Sequence, residues 1–246
     1  MKRALGVVLA ALPLFFLTMP SWAQTVTLDL GGDGGSSTGR IVQLLVLMTV
    51  LSLAPAILIT VTSFTRIIVV LSFLRSALGT QQTPPNIVLV SLALFLTGFV
   101  MEPTLEVAYR DGIAPLIENK ITETEAFTRT MAPLEEFMLG HVRGQDLQLF
   151  AGMAKLDPVA APKDTPLRVL VPAFMVSELR RAFEIGFLLF LPFLVIDIVV
   201  ASILMSMGMM MLPPVTISLP FKLIFFVLVD GWYLVAGSLV QSFGGS

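Results

Sequence analysis

Four stretches of this chain, residues 41–61, 87–101, 185–205 and 215–240, are almost wholly apolar, and they limit the fold more than any motif does. A helix needs about 20 apolar residues to cross the hydrocarbon of a bilayer. Three of the stretches reach that length, and the second is short for a span. With 56 % hydrophobic residues, 13 % charged residues and a mean hydropathy of +0.91, the chain lies outside the usual composition of a soluble domain. The expected fold is an all-α membrane protein made of kinked helical hairpins and one small helical domain in water.

The kinks follow from Pro55, Pro192 and Pro220, which fall inside the apolar stretches. Each removes a helical hydrogen bond, and lipid tolerates the loss only where helices pack on one another or line a cavity. The pattern points to an assembly with an axis. Between the first two stretches, Arg66 and Arg75 are the only charges, and Pro84 and Pro85 stop any helix before the next segment. Read as a loop, this arginine excess places residues 66–75 on the cytoplasmic side.

The N-terminus reads as an export signal: Lys2 and Arg3, then an apolar run, then Ser21, Trp22 and Ala23 as a small-x-small site that predicts cleavage between Ala23 and Gln24. An uncleaved anchor is the alternative. Residues 24–40 are rich in Gly and Ser and read as a flexible linker; no lysine-containing phosphate-loop motif follows the glycines.

Residues 102–184 carry thirteen acidic and nine basic side chains, most of the charge in the chain, and read as a helical domain in water, placed in the periplasm by the export signal. Thr122 and Glu125 form a capping box, with Phe127, Met131, Leu134 and Met138 recurring at helical spacing behind it. From Leu167 the pattern runs into the third apolar stretch without a turn signal, which predicts one helix carrying this domain into the membrane.

Several function classes fall away. Fifteen Lys and Arg are scattered against seventeen acids, so nucleic acid is not an expected partner. Without cysteine, and with His141 as the sole histidine, no nucleophile–base pair and no metal or cofactor site is expected. The chain does not read as an enzyme.

The informative charges lie in the last two stretches. If the chain folds back around Met209 and Met210, Asp197 faces Lys222, and the cost of an unpaired charge in lipid favours a buried pair, within or between subunits. The alternative leaves Lys222 at the membrane surface and Asp197 in water. Asp230 is a further polar anomaly, beside Trp232 and Tyr233 as an interfacial belt. Glu178 stands three residues before Arg181, the spacing of a helix-surface pair, with a subunit contact as the alternative. Phe137 and Phe150 fit either the core or a self-assembly face.

The turn itself, "MSMGMMMLPP", sets five methionines around Gly208 and before Pro213 and Pro214. Methionine fills gaps in cores, yet a segment this irregular cannot hide every side chain on one face. Such a loop needs company.

The segments "SFTRIIVVLSFLRSALGTQQTPPNIVLVSLALFLTGFVMEP" and "DIVVASILMSMGMMMLPPVTISLPFKLIFFVLVDGWYLV" resemble the FliP family of flagellar biosynthetic proteins, and the resemblance covers all but the Gly/Ser linker. It implies a core subunit of the flagellar type III export gate in the bacterial inner membrane and flagellar basal body, similar to the equivalent subunit of injectisomes. It further implies a helical channel built from a pentamer of this chain with FliQ and FliR, beside FlhA and FlhB, with FliO aiding assembly and unfolded proteins as cargo. Hairpins of this family do not behave as independent spans. On the same resemblance, Met209, Met210 and Met211 would constrict the pore as a deformable seal, with Gly208 giving slack and Pro213 and Pro214 fixing where the next helix starts, and the helices of Asp197 and Lys222 would form its wall. A secondary transporter or ion channel, and a passive anchor for a periplasmic domain, are the competing classes; no inverted repeat supports the first.

Overall fold

The computed structural model describes residues 37–80, 82–156, 165–209 and 211–244. The cleavage site at Ala23 and Gln24, most of the linker, and Met210 lie outside them. The chain forms two compact units, residues 1–50 and 51–246.

Helix α1 spans Ser37–Val61, so the start of the helical part lies within the expected linker rather than after it. The remaining elements are α2 (Phe64–Ala77), α3 (Asn86–Ala108), a π-helical turn (Tyr109–Ile113), α4 (Ala114–Ile117), α5 (Glu123–His141), α6 (Gly144–Met153), α7 (Leu167–Ser206), α8 (Pro214–Leu228) and α9 (Gly231–Gln241). No strand occurs among the described residues. The fold is all-α. Among the described residues, two helical runs, Asn86–Ile117 and Leu167–Ser206, are long and apolar enough to cross a membrane, and α8 with α9 makes a third if the bent pair counts as one.

Helix α2 is the core of the second unit. Its sequence is rich in Ile and Val, which have modest helix propensity, so packing rather than intrinsic preference holds it. Ile67, Val70, Leu71 and Leu74 are buried there, each worth roughly 1.5–3 kcal/mol of apolar burial. Helices α3 and α7 both pack on α2. Arg75 closes the α2–α3 hairpin through Asn86 Oδ1. Helix α7 runs parallel to α2: Glu178 meets Arg66 and, two turns on, Gly186 meets Phe73. A Cβ at residue 186 would stand 2.6 Å from the Phe73 ring, so glycine is what permits this approach.

The expected Arg66/Arg75 loop is therefore corrected. Both arginines lie on α2, and Arg66 is buried and paired, so it is not a free charge that could orient a loop. The expected domain borders at 102 and 184 lie within helices α3 and α7, and the continuity through 184 is the one the sequence predicts. Charge changes there, but nothing interrupts the backbone. The second apolar stretch is not short once α3, the π turn and α4 are taken together.

Helix α7 begins at Leu167 and runs 40 residues through Pro172 and Pro192, the continuous helix that the sequence predicts. The Thr122 hydroxyl accepts from Glu125 N at 3.4 Å, capping α5. Of the periodic set behind it, Leu134 and Met138 are buried, but Phe127 is exposed. Helix α6 is tied to α7 by Ser177, whose hydroxyl donates to Asp146 Oδ2 at 2.7 Å and accepts from Arg143 N.

Candidate functional site

The site is the turn between α7 and α8 together with the polar contacts that fix those helices. Helix α7 ends in a Schellman motif: Gly208 N donates to Met205 O at 3.1 Å, and Met209 N reaches back to Leu204 O at 3.0 Å. Gly208 has φ +73, the left-handed conformation that the motif requires and that a side chain would strain. Helix α8 starts at Pro214, with Pro213 as its N-cap, where a missing N–H costs nothing. Both ends of the turn are thus punctuated.

Between them the side chains are apolar and uncovered. Met211 is fully exposed, and Met205, Met207, Met209 and Leu212 are exposed as well. Met205, Met207, Met209 and Met211 do not pack beneath their own helices.

Behind the turn, the structure brings Asp197 and Lys222 together. Lys222 Nζ lies 2.7 Å from Asp197 Oδ2 and donates a second bond, 3.1 Å, to the Ala77 carbonyl at the end of α2. Asp197 Oδ1 accepts from the Ser218 hydroxyl at 2.5 Å. Lys222 and Ser218 are buried. A cation at the negative end of the α2 dipole, with an anion beside it, is doubly compensated.

A second buried pair was not foreseen. Arg66 donates from Nε to Glu178 Oε2 at 2.8 Å and from its second terminal nitrogen to Oε1 at 2.6 Å. Its remaining nitrogen donates to the backbone and side-chain oxygens of Ser242, and the guanidinium lies 3.6 Å over the Phe243 ring. The expected Glu178–Arg181 surface pair is corrected: Glu178 is fully buried with Arg66, and Arg181 instead joins Arg180 on Glu184. Burial inside its own chain also removes Glu178 from the candidates for a subunit interface. The sequence signal that could have found the pair is a lone arginine in an apolar run, which demands an acid somewhere.

Phe137 packs inside the unit, 6.0 Å from Phe174 and stacked 6.2 Å from Phe243. Phe150 is half-buried on α6. His141 holds its Nδ1 2.8 Å from Phe137 O, against the Phe243 ring. Among the described residues no three His, Cys, Asp or Glu side chains group as a metal site. The Asp230 backbone is left-handed (φ 51), and α8 and α9 meet there at 64°. Trp232 lies edge-on to Phe226, ring centroids 5.4 Å apart, and stays exposed.

Comparison with known proteins places residues 47–239 within the FliP family. The chain is 59 % identical over 243 residues to the flagellar biosynthetic protein FliP of Caulobacter vibrioides, covering 98 % of this chain and 91 % of that one. It is 59 % identical over 202 residues to the protein of the same name from Bacillus subtilis, covering 82 % and 91 %. With the Aquifex aeolicus protein the identity is 47 % over 245 residues, covering 99 % and 100 %.

Proposed function

The chain belongs to the FliP family of flagellar biosynthetic proteins, and from that premise we propose that it is a pore-forming subunit of the flagellar export gate in the inner membrane. Several copies surround an axis, with the partner proteins of the gate beside them and an aqueous face toward the periplasm. The observation that carries this reading is the α7–α8 turn: a capped, glycine-stopped loop whose methionines, Met211 above all, meet water rather than the body of their own chain.

Among the described residues, nothing covers this methionine loop. A ring of such loops would cover one another at the axis. Met209, Met210 and Met211 then form a seal that excludes ions when empty, because an apolar constriction resists wetting. Each side chain has three rotatable bonds and an uncharged, polarizable sulfur, so the ring can repack around successive side chains of an unfolded cargo. Branched residues would be stiff, and charged ones would select. The Asp197–Lys222 pair and the α2 end behind it hold the wall while the loops move.

Replacing the three methionines by alanine is expected to leave assembly intact and make cells leak small ions. Ion conductance across membranes containing the assembled variant checks this. If those membranes stay as tight as the parent's, the methionines are not the seal.

A further inference from the structure

Helix α3 presents an outer face that the other described residues leave uncovered. Phe95, Phe99 and Tyr109 are exposed, and a shallow cavity of about 980 Å³ opens beside Gly98, where nothing stands within 4 Å of a Cβ position. Glu102 and Glu106 follow on the same face, at the spacings of one helical stripe. Neither forms an ion pair among the described residues. Arg110, next along, is engaged by Asp111.

Helix α7 presents the opposite charge on a matching stripe. Arg180, Phe183, Phe187, Leu191 and Leu194 recur at helical spacing and are exposed. Arg180 and Arg181 share the single carboxylate of Glu184, at 3.0 and 3.4 Å, which leaves one positive charge without a counter-ion. Because α7 runs parallel to α2 while α3 returns against it, the acidic end of α3 and the basic start of α7 lie at the same end of the bundle.

We propose that the α3 face of one copy docks against the α7 face of the next, with Glu102 and Glu106 meeting Arg180. The inference rests on the multi-copy reading above and names the surfaces that would build it. The helices lie antiparallel, so one register aligns the whole stripe: Glu102 opposite Arg180, Phe95 opposite Phe187, and Ser91 opposite Leu191. The Gly98 cavity receives a phenylalanine from α7. Two different faces meet, so the contact is head-to-tail and closes into a ring when the rotation per copy allows. In lipid, where apolar helices gain little from apolar contact alone, the charge pair and the close approach at a small residue supply the specificity.

The native chain has no cysteine, so the register is directly testable. Phe95→Cys and Phe187→Cys are placed together in the full-length protein, in native membranes, and oxidised with copper phenanthroline. Both positions are exposed, so the core is untouched. The expected result is a ladder of covalent dimers and higher species, at least fivefold stronger than from Phe95→Cys with Leu194→Cys, and absent with either change alone. Glu102→Arg should weaken the ladder, and adding Arg180→Glu should restore it. If the native mass shows several copies but the 95/187 pair gives no ladder, this interface is wrong and the pore reading survives. Adducts only to other polypeptides also overturn it. A single-copy mass overturns both.

Discussion

The two buried ion pairs solve one problem in different ways. Each must hold a cation on or against α2 in a water-poor interior, yet Arg66 and Glu178 are 3 % and 0 % exposed, whereas Lys222 and Asp197 are 3 % and 22 % exposed. Arg66 uses its planar fork, with two bonds to the carboxylate, two to Ser242, and its face on Phe243. Lys222 is a point charge that divides its protons between a carboxylate and the end of a helix. The first is closed to water and gathers α2, α7 and the C-terminal end of α9. The second stands open on one side, close to the turn. Rigidity is concentrated at the first and access at the second.

Breaking the closed pair should cost most. Glu178→Ala leaves a buried guanidinium without its anion and is expected to destabilise the fold by about 3–5 kcal/mol. Arg66→Met with Glu178→Leu should recover much of that loss, since a pair removed whole leaves no stranded charge. Denaturation of the purified protein in detergent measures both. Equal losses for the single and double variants would erase the distinction drawn here.

Lys222→Ala strands an Asp197 that water can still reach, so a smaller loss, about 2–3 kcal/mol, is expected, below the range for a closed pair. Double substitution with Asp197→Ala should cost less than the two single losses added together. Strictly additive losses in complex yield would show that the two side chains do not act as a pair. The least effect is expected from Ser218→Ala, about 1.5 kcal/mol for one hydrogen bond to a charged acceptor that retains Lys222. A larger loss would mean that Ser218, not the lysine, positions Asp197.

The same contrast separates what could be read from the sequence from what could not. Asp197 and Lys222 are 25 positions apart across one turn, so counting residues back from the methionines was enough to face them. Arg66 and Glu178 are 112 positions apart, and no local periodicity links them. Local spacing offered Arg181 to Glu178 instead, and tertiary packing overrode it. Helix α7 was legible from Leu167 because nothing breaks its pattern. The borders at 102 and 184 are changes from apolar to charged residues within helices, and composition of that kind marks a change of solvent rather than an end of helix. Phe127 had the right period for the core, but its turn of α5 leaves it uncovered. The α3 and α7 faces were legible only as hydrophobicity until the fold showed which side of each helix its own chain covers.

Helix α7 is tied to neighbouring helices along its length, at Ser177 by Asp146, at Glu178 by Arg66, at Gly186 by Phe73, and at Asp197 by Lys222. Past the last polar tie to another helix, nine residues remain before α7 stops at Ser206, about 14 Å at the rise of an α-helix, and Val200 and Leu204 among them are still buried. The methionine turn therefore rides on a stretch held by apolar contact alone, which has no fixed direction and lets the end of the helix slide where a hydrogen bond would hold it.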